Sequence, residues 1–398
     1  MARDRTYDVV IFGATGFTGG LTAAYLADSA PSEVRWALAG RSERKLRDIA
    51  AELAGRACPP AGVLVADVAD EASLRAMAAS TRVLATTVGP FDEYGEPVVR
   101  ACAEAGTDYL DITGEPQFVD RTIERYDAKA RETGAKIVSC CGFDSIPHDL
   151  GVLYTVDQLR QGGRPLEAPV TIEGFVRSRG TFSGGTWHSA IRAFSQFREY
   201  TRSKRVPAHH ERHAGAGSRR VRGVRPTVHY EKEIGGWACP LPTIDPQVVL
   251  RSARMLDEYG PELSYGHYVR VKRLPTLVAG AAAVGSVFAL AQLSPTRALL
   301  LKVKDPGQGP SEEERARAWF RVTFLARTNG RTLVTEVAGG DPGYTETSKM
   351  LAESALCLAL ERERTPDLTG VITPAAAMGR PLIERLERAG ITFRVLRS

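Results

Sequence analysis

Apolar residues in the first 150 positions come as short runs separated by stretches with helical spacing. Tyr7–Phe12 is the first run and stops at Gly13. Val34–Ala39, Val63–Ala66, Arg82–Val88 and Lys136–Cys140 follow it. Between them lie Phe17–Ser29, Glu43–Ala54, Glu96–Ala105 and Gln117–Thr133; in the second of these, Leu46, Ile49, Ala50 and Leu53 share one helical face. Strands that are almost continuously apolar, alternating with helices, predict a parallel sheet covered on both faces.

The pattern changes after Gly151. Val170–Arg179 predicts a strand, Trp187–Tyr200 a helix, and Arg198–Arg225 is polar and Arg-rich. Arg317–Arg327 and Arg331–Ala338 are strand-like and flank Asn329-Gly330, a strong hairpin pair. The tail predicts helices over Ser348–Arg362 and Arg380–Ala389 and a strand over Thr392–Leu396. The expected fold class is α/β. A doubly wound parallel sheet occupies 1–150, and an α+β domain with an antiparallel sheet, for substrate and dimerisation, occupies 151–345. The tail, 346–398, is expected to pack back on the first domain.

Composition narrows the class without choosing within it. The 398 residues are 43% hydrophobic and 25% charged, as in ordinary globular chains. A net charge of +5 is too small to indicate nucleic-acid binding. Cys58, Cys102, Cys140, Cys141, Cys239 and Cys357 form no C-x-x-C pair and no zinc spacing with histidine. Free thiols in a reducing compartment, and no metal, are expected. The first residues, Met1–Thr6, carry no apolar run, so the expected location is cytoplasmic.

Gly13-Ala14-Thr15-Gly16-Phe17-Thr18-Gly19 joins the first predicted strand to the first predicted helix. In that context a G-x-x-G-x-x-G run is a dinucleotide fingerprint. Gly13 permits the turn, Gly16 the approach of the pyrophosphate, and Gly19 the packing of helix on strand, while the helix N-terminus stabilises phosphate charge. Thr15 and Thr18 add hydroxyl donors, and Phe17 opens the helix. A Rossmann domain is the expected architecture. NAD-specific sites place an acid at the end of the second strand. Here Ala39-Gly40-Arg41-Ser42 follows, with Lys45 one turn on. A guanidinium suits a 2′-phosphate, so NADP(H) is the expected cofactor. Asp67, after the third strand, is placed either to reach the adenine or to cap the next helix.

With these residues in hand, the chain resembles the saccharopine dehydrogenase-like superfamily, and within it the trans-acting enoyl reductases of polyketide-derived lipid assembly. The resemblance rests on Gly13–Gly19, Leu38–Ser42, Val88-Gly-Pro-Phe91 with Tyr94-Gly-Glu-Pro97, Asp108–Glu115, Cys141–Pro147, Ser183–Thr186, Gly340–Tyr344 and Thr373–Met378. It implies a nicotinamide-dependent reductase whose nicotinamide lies among the loops Val88–Tyr94, Thr113–Glu115 and Cys141–Pro147. Val88, Gly89, Pro90, Gly114, Gly142 and Phe143 are the expected cofactor contacts there, with Ser42 beside Arg41. The Cys141-Gly-Phe-Asp-Ser-Ile-Pro147 loop departs from the Cys-Gly-x-x-Pro-Gly type of amino-acid-reducing relatives.

Such a reductase needs a proton source and an oxyanion partner. Tyr94, Asp144, Ser145 and His148 are the candidates in these loops, and Ser183, Thr186 and His188 those of the second domain. Asp144 serves equally as a helix cap, and the histidines as ordinary structural residues. The implied substrate is an acyl thioester or lipid-like chain, and the implied partner an acyl carrier domain or polyketide synthase. An imine reductase of small amino acids and a non-catalytic NADP-binding scaffold are the competing readings. Leu277–Leu293 is uncharged and flanked by basic residues. It reads as a buried or homodimer-interface helix, a membrane-surface helix, or a span. Arg198–Arg225 holds nine Arg or Lys against two Glu and reads as a solvated loop or as a docking surface for an acidic carrier or anionic lipid.

Overall fold

A computed structural model describes residues 5–160, 163, 166–180, 191, 219–302 and 309–398. The predicted helix Trp187–Tyr200, the candidates Ser183, Thr186 and His188, and positions 198–218 of the basic stretch lie outside the described residues.

The N-terminal half follows the apolar rhythm. β1 (Tyr7–Phe12), α1 (Phe17–Ser29), β2 (Trp36–Gly40), α2 (Glu43–Leu53), β3 (Gly62–Val65), α3 (Glu71–Ser80), β4 (Thr81–Thr86), α4 (Phe91–Ala105), β5 (Asp108–Asp111), α5 (Pro116–Thr133), β6 (Lys136–Val138) and α6 (Ile146–Leu159) alternate along the chain. The second half contains β7 (Val170–Arg179), β8 (Arg220–Gly223), β9 (His229–Glu231), β10 (Gly236–Pro240), α7 (Asp245–Met255), β11 (Glu262–Val271), α8 (Leu274–Ala291) and α9 (Ser294–Leu301). α10 (Glu312–Ala316), β12 (Trp319–Thr328), β13 (Arg331–Gly339), α11 (Thr345–Leu360), β14 (Gly370–Ile372), α12 (Pro374–Arg388) and β15 (Thr392–Arg397) complete it.

The first sheet has the order β14-β6-β5-β4-β1-β2-β3 and is parallel throughout. Its order reverses between β1 and β4, where Rossmann sheets bind their ligand. β1 shows why the strand is continuously apolar from Val9 to Phe12. Val9 and Ile11 enter the core shared with α1, α6, α11 and α12, while Val10 and Phe12 enter the core under α3, α4 and α5.

The second sheet is mixed, in the order β15-β13-β12-β7-β11-β10-β9, with β8 pairing β11 beside β10. Its hairpin turns on Asn329 and Gly330, both at positive φ (44° and 74°). Phe320, Val322, Phe324 and Ala326 of β12 face the core that also holds α6. α6 and α7 therefore pack between the sheets. The tail divides: β14 extends the first sheet, and β15 pairs with β13 in the second.

Two features of the second half correct the sequence reading. α8 is a helix, but only 12% of it is buried, so the buried-core reading of Leu277–Leu293 fails. The end of the basic stretch is not a free loop either. Arg219 donates to the Ala253 carbonyl (3.0 Å) and pairs with Asp257 (2.6 Å), and Arg222 pairs with Glu262.

Candidate active site

β1 delivers Gly13 to the carboxyl edge of the first sheet, and α1 starts just after Gly16. Gly13 has φ +94°, and a Cβ there would stand 2.8 Å from Thr87 Oγ1. At Gly19 a Cβ would fall 2.2 Å from the Gly13 carbonyl oxygen, so loop and helix meet backbone to backbone. Gly16 differs. Its φ is −84°, and a Cβ would meet only that carbonyl, at 3.3 Å. The fold itself tolerates a side chain there; a ligand would not. Among the described residues no side chain caps α1, which leaves its first-turn N–H groups for an anion. This loop fits a dinucleotide pyrophosphate.

The flanking residues divide between binding surface and scaffold. Arg41 is exposed and has no hydrogen bond or ion pair among the described residues. Ser42 caps α2, accepting from the Lys45 N–H at 3.5 Å, and Lys45 is exposed. Asp67 accepts from the Ala69 N–H (3.0 Å), which engages its carboxylate in the turn. Thr15 is exposed at the loop tip. Phe17 packs edge-on against Tyr344, 4.9 Å between centroids, and the Thr18 carbonyl accepts from Ser348 Oγ (3.2 Å).

Two carboxylates lace together the loops after β4, β5 and β6. Glu115 accepts from the N–H groups of Phe91 (3.4 Å) and Asp92 (2.6 Å), capping α4 just beyond Val88, Gly89 and Pro90. Asp111 accepts from Thr113 N–H (2.9 Å), Cys140 N–H (3.0 Å) and Ser139 Oγ (2.9 Å). Burial pushes its carboxyl up to about 6 despite these donors. A Cβ on Gly114 would lie 3.0 Å from Asp144 Oδ2, and one on Gly142 would lie 2.9 Å from Thr347 Cγ2. Thr347 Oγ1 also accepts from the Phe143 N–H (3.1 Å). Two residues in this loop, Cys140 (φ +66°) and Ser145 (φ +147°), hold conformations that side chains rarely adopt. Ser145 is fully buried, its hydroxyl has no partner, and its carbonyl accepts from the Asp149 N–H (2.7 Å).

α6 turns His148 into the seam between the sheets, where α7 contributes Asp245 and β11 contributes His267. His148 Nδ1 lies 2.8 Å from Asp245 Oδ1, close but poorly aligned for a hydrogen bond, and His148 Nε2 has no partner among the described residues. His267 Nε2 lies 3.5 Å from Asp245 Oδ2. Its Nδ1 is 3.1 Å from the Tyr265 hydroxyl. Burial keeps that hydroxyl protonated, able to donate to Nδ1 or to accept from it according to the His267 tautomer. Burial alone would raise the Asp245 carboxyl, but His148, His267 and the Thr243 hydroxyl hold it well below the usual range. Burial, reinforced by His148, pushes His267 down to about 4. Asp144 is exposed beside this cluster. Crowding and the Asp245 charge push its carboxyl towards about 6, a push that solvent weakens. The cluster's surroundings are aromatic: Phe143 packs 5.0 Å from Phe320 and 5.6 Å from His148, and His148 lies 5.0 Å from His267.

The ligating atoms of His148, Asp245 and His267 lie within 4.8 Å of one another, a set able to hold a metal ion. Tetrahedral zinc spaces nitrogen and oxygen ligands about 3.3 Å apart. The 2.8 Å contact between His148 and Asp245 is tighter than that, which favours direct acid–base pairing.

Of the four proton-donor candidates, His148 enters this cluster and Asp144 feels its charge. Ser145 shapes the loop between them. Tyr94 stands on α4, 40% exposed, with no hydroxyl partner among the described residues. Sequence reasoning missed Asp245 and His267. Asp245-Pro246 at a helix start and the Tyr265/His267 alternation were visible, but nothing local joins them to His148. A surface groove lined by Arg160, Glu258, Arg364 and Arg380 opens at the other end of α6, about 20 Å along the helix from Ile146.

Residues 9–138 match the saccharopine dehydrogenase NADP binding domain family. The chain is 38% identical to a Mycobacterium tuberculosis protein provisionally named a trans-acting enoyl reductase, over 100% of this chain and 99% of that one. It is 35% identical to the trans-acting enoyl reductase of Mycobacterium ulcerans, over 99% and 98% respectively. Among solved structures, apo saccharopine dehydrogenase (L-Glu forming) of Saccharomyces cerevisiae shares the fold, with TM-score 0.55 and 12% identity over 98% of this chain and 100% of that one. The cofactor is NADP(H). The chain is an NADP-dependent oxidoreductase and belongs to the trans-acting enoyl reductase family.

Proposed function

We propose that the protein reduces the C=C bond of an α,β-unsaturated acyl thioester presented by a carrier domain, with His148 as proton donor. The observation that carries this reading is the buried His148–Asp245–His267 cluster, set beside the loops after β5 and β6. NADPH, when bound, supplies the hydride. Gly13–Gly19 cradles its pyrophosphate, and Arg41, with Lys45 nearby, takes the 2′-phosphate. Hydride addition at the β-carbon leaves an enolate that needs a proton at the α-carbon. Asp245 orients the His148 ring and balances an imidazolium charge, while the unpartnered Nε2 is the nitrogen left to deliver the proton. Asp144, exposed two residues from Ile146 at the start of α6, relays its replacement from solvent. Phe143 and Phe320 give the seam an apolar lining that suits an acyl chain better than a zwitterionic amino acid. The names of the relatives support the same substrate class. The test compares NADPH oxidation with a carrier-bound enoyl thioester against a 2-oxo acid plus an amine. Turnover of the thioester alone is expected. Turnover only of the imine-forming pair would transfer the site to amino-acid chemistry, and turnover of neither would favour a scaffold.

A further inference from the structure

α8 is 18 residues long, has a mean hydropathy of 1.9, and is 12% buried. Leu274, Val278, Val284 and Leu290 are 43–61% exposed, and at 3.6 residues per turn they fall on different sides of the helix. Leu293 and Leu299 extend the apolar surface onto α9. A helix that is apolar all round belongs in an apolar medium. A second copy of the chain would cover one side and leave the others in water. Three of the polar side chains here turn back to the helix backbone. Ser286 Oγ donates to the Ala282 carbonyl (2.8 Å), Gln292 to Phe288 (3.3 Å) and Thr296 to Leu293 (3.1 Å). That is the arrangement polar groups require inside lipid.

Charge and topology refine the picture. Between Lys272 and Lys304 the chain has Lys272, Arg273, Arg297, Lys302 and Lys304 and no acid. Lys272, Arg273 and Lys302 are exposed at the ends of the α8–α9 unit. α8 cannot cross a bilayer once and continue, because β11 before it and β12 after it both pair with β7 in one sheet. At about 27 Å it is also slightly short for a core of about 30 Å. It must enter one leaflet and return.

We propose that α8 and α9 form a monotopic anchor that embeds in a bilayer containing anionic lipid. The anchor leaves directly from β11, the strand that carries Tyr265 and His267, which brings the seam close to membrane-dissolved acyl chains. This inference stands independently of the substrate reading. Its test is flotation of the full chain with vesicles of phosphatidylcholine, with and without phosphatidylglycerol. Wild type is expected to float with the anionic vesicles. Val278→Asp/Val284→Asp, at exposed positions that leave the core intact, should cut the bound fraction at least about tenfold. Lys272→Ser/Arg273→Ser should weaken binding to anionic vesicles about fivefold per cation, with little change on neutral ones. NADPH binding, which needs none of these residues, should be unchanged in both variants. Failure of wild type to float at low salt, or equal flotation of the Asp pair, overturns the proposal. So does a solution dimer that the Asp pair splits while wild type ignores vesicles, which would assign α8 to a second copy.

Discussion

The glycine loop and the seam cluster both lie at the carboxyl edge of the Rossmann sheet, but they are assembled differently. In the loop, seven consecutive residues set the chemistry, and recognition is by backbone: absent side chains at Gly13 and Gly19 shape it, and uncapped N–H groups present it. In the seam, three side chains from α6, α7 and β11, spread over more than a hundred residues of sequence, set the chemistry, and each is buried. Backbone recognition is robust to most mutations but intolerant of added atoms. Side-chain constellations fail when one charge is removed, because the low dielectric that strengthens them also penalises an unpaired remainder.

The largest expected effect separates the glycines. Gly16→Val should leave the fold intact, since only the Gly13 carbonyl approaches, at 3.3 Å, yet abolish NADPH binding. Gly19→Val should instead destabilise the domain, because its Cβ would overlap that carbonyl. Isothermal titration beside thermal melts distinguishes the two. A folded Gly16→Val protein that binds NADPH normally would remove the loop from the cofactor site.

The same contrast explains what was legible in advance. The apolar rhythm, the fingerprint, the Asn329-Gly330 hairpin and the missing acid beside Arg41 are local signals; the fingerprint and Arg41 follow β1 and β2 of the first sheet, and the hairpin joins β12 to β13 in the second. Glu115 and Asp111 stood within a family-like motif, but their work is capping and lacing, which needs the fold to be seen. His148 was selectable because it follows β6 by ten residues. Asp245 and His267 were not, because no periodicity or spacing reports contacts across two sheets. Helix α8 was ambiguous for a related reason: an apolar run states what a helix needs, and only packing shows that the described residues do not supply it.

Next in size is the seam. His148→Gln and Asp245→Asn should each lower kcat for the thioester by about 10²–10⁴, the usual contribution of a positioned acid. NADPH affinity should stay near wild type, because neither residue belongs to the phosphate loop. Asp245→Asn should keep more activity than His148→Gln, since it removes the positioning group and leaves the proton donor. Stopped-flow single turnovers read the chemical step directly. Unchanged rates in both variants would leave water or Tyr94 as the proton source.

Arg41→Ala sharpens the loop side of the comparison. It should weaken NADPH binding by about 1.5–3 kcal/mol, the scale of a charged hydrogen bond, while NADH binding stays the same. Equal losses for both cofactors would mean that Arg41 does not contact the 2′-phosphate. The size of the split also measures how far a side chain adds to what the backbone loop already provides.

The last effect is on stability and concerns Asp149, one residue from His148. Its Oδ2 accepts from the Ala375 N–H at 2.8 Å, and its Oδ1 has no partner. Burial pushes this carboxyl up to about 7, against the opposing pull of Ser252, Ala375 and Arg251. The folded state therefore holds a proton that the unfolded chain, with an ordinary carboxyl near 4, has already released. Stability from this group is full below about pH 4, declines as pH rises towards 7, and is flat above. Asparagine can still accept from Ala375 and cannot ionise. Asp149→Asn should therefore melt close to wild type at pH 4 and about 5 °C higher at pH 8, the shift that roughly 4 kcal/mol, the worth of a carboxyl moved from near 4 to about 7, produces in a chain of this size. Melting curves across that range check it. If the two proteins stay parallel at every pH, Asp149 is ionised in the fold, and the seam is wetter than its packing implies.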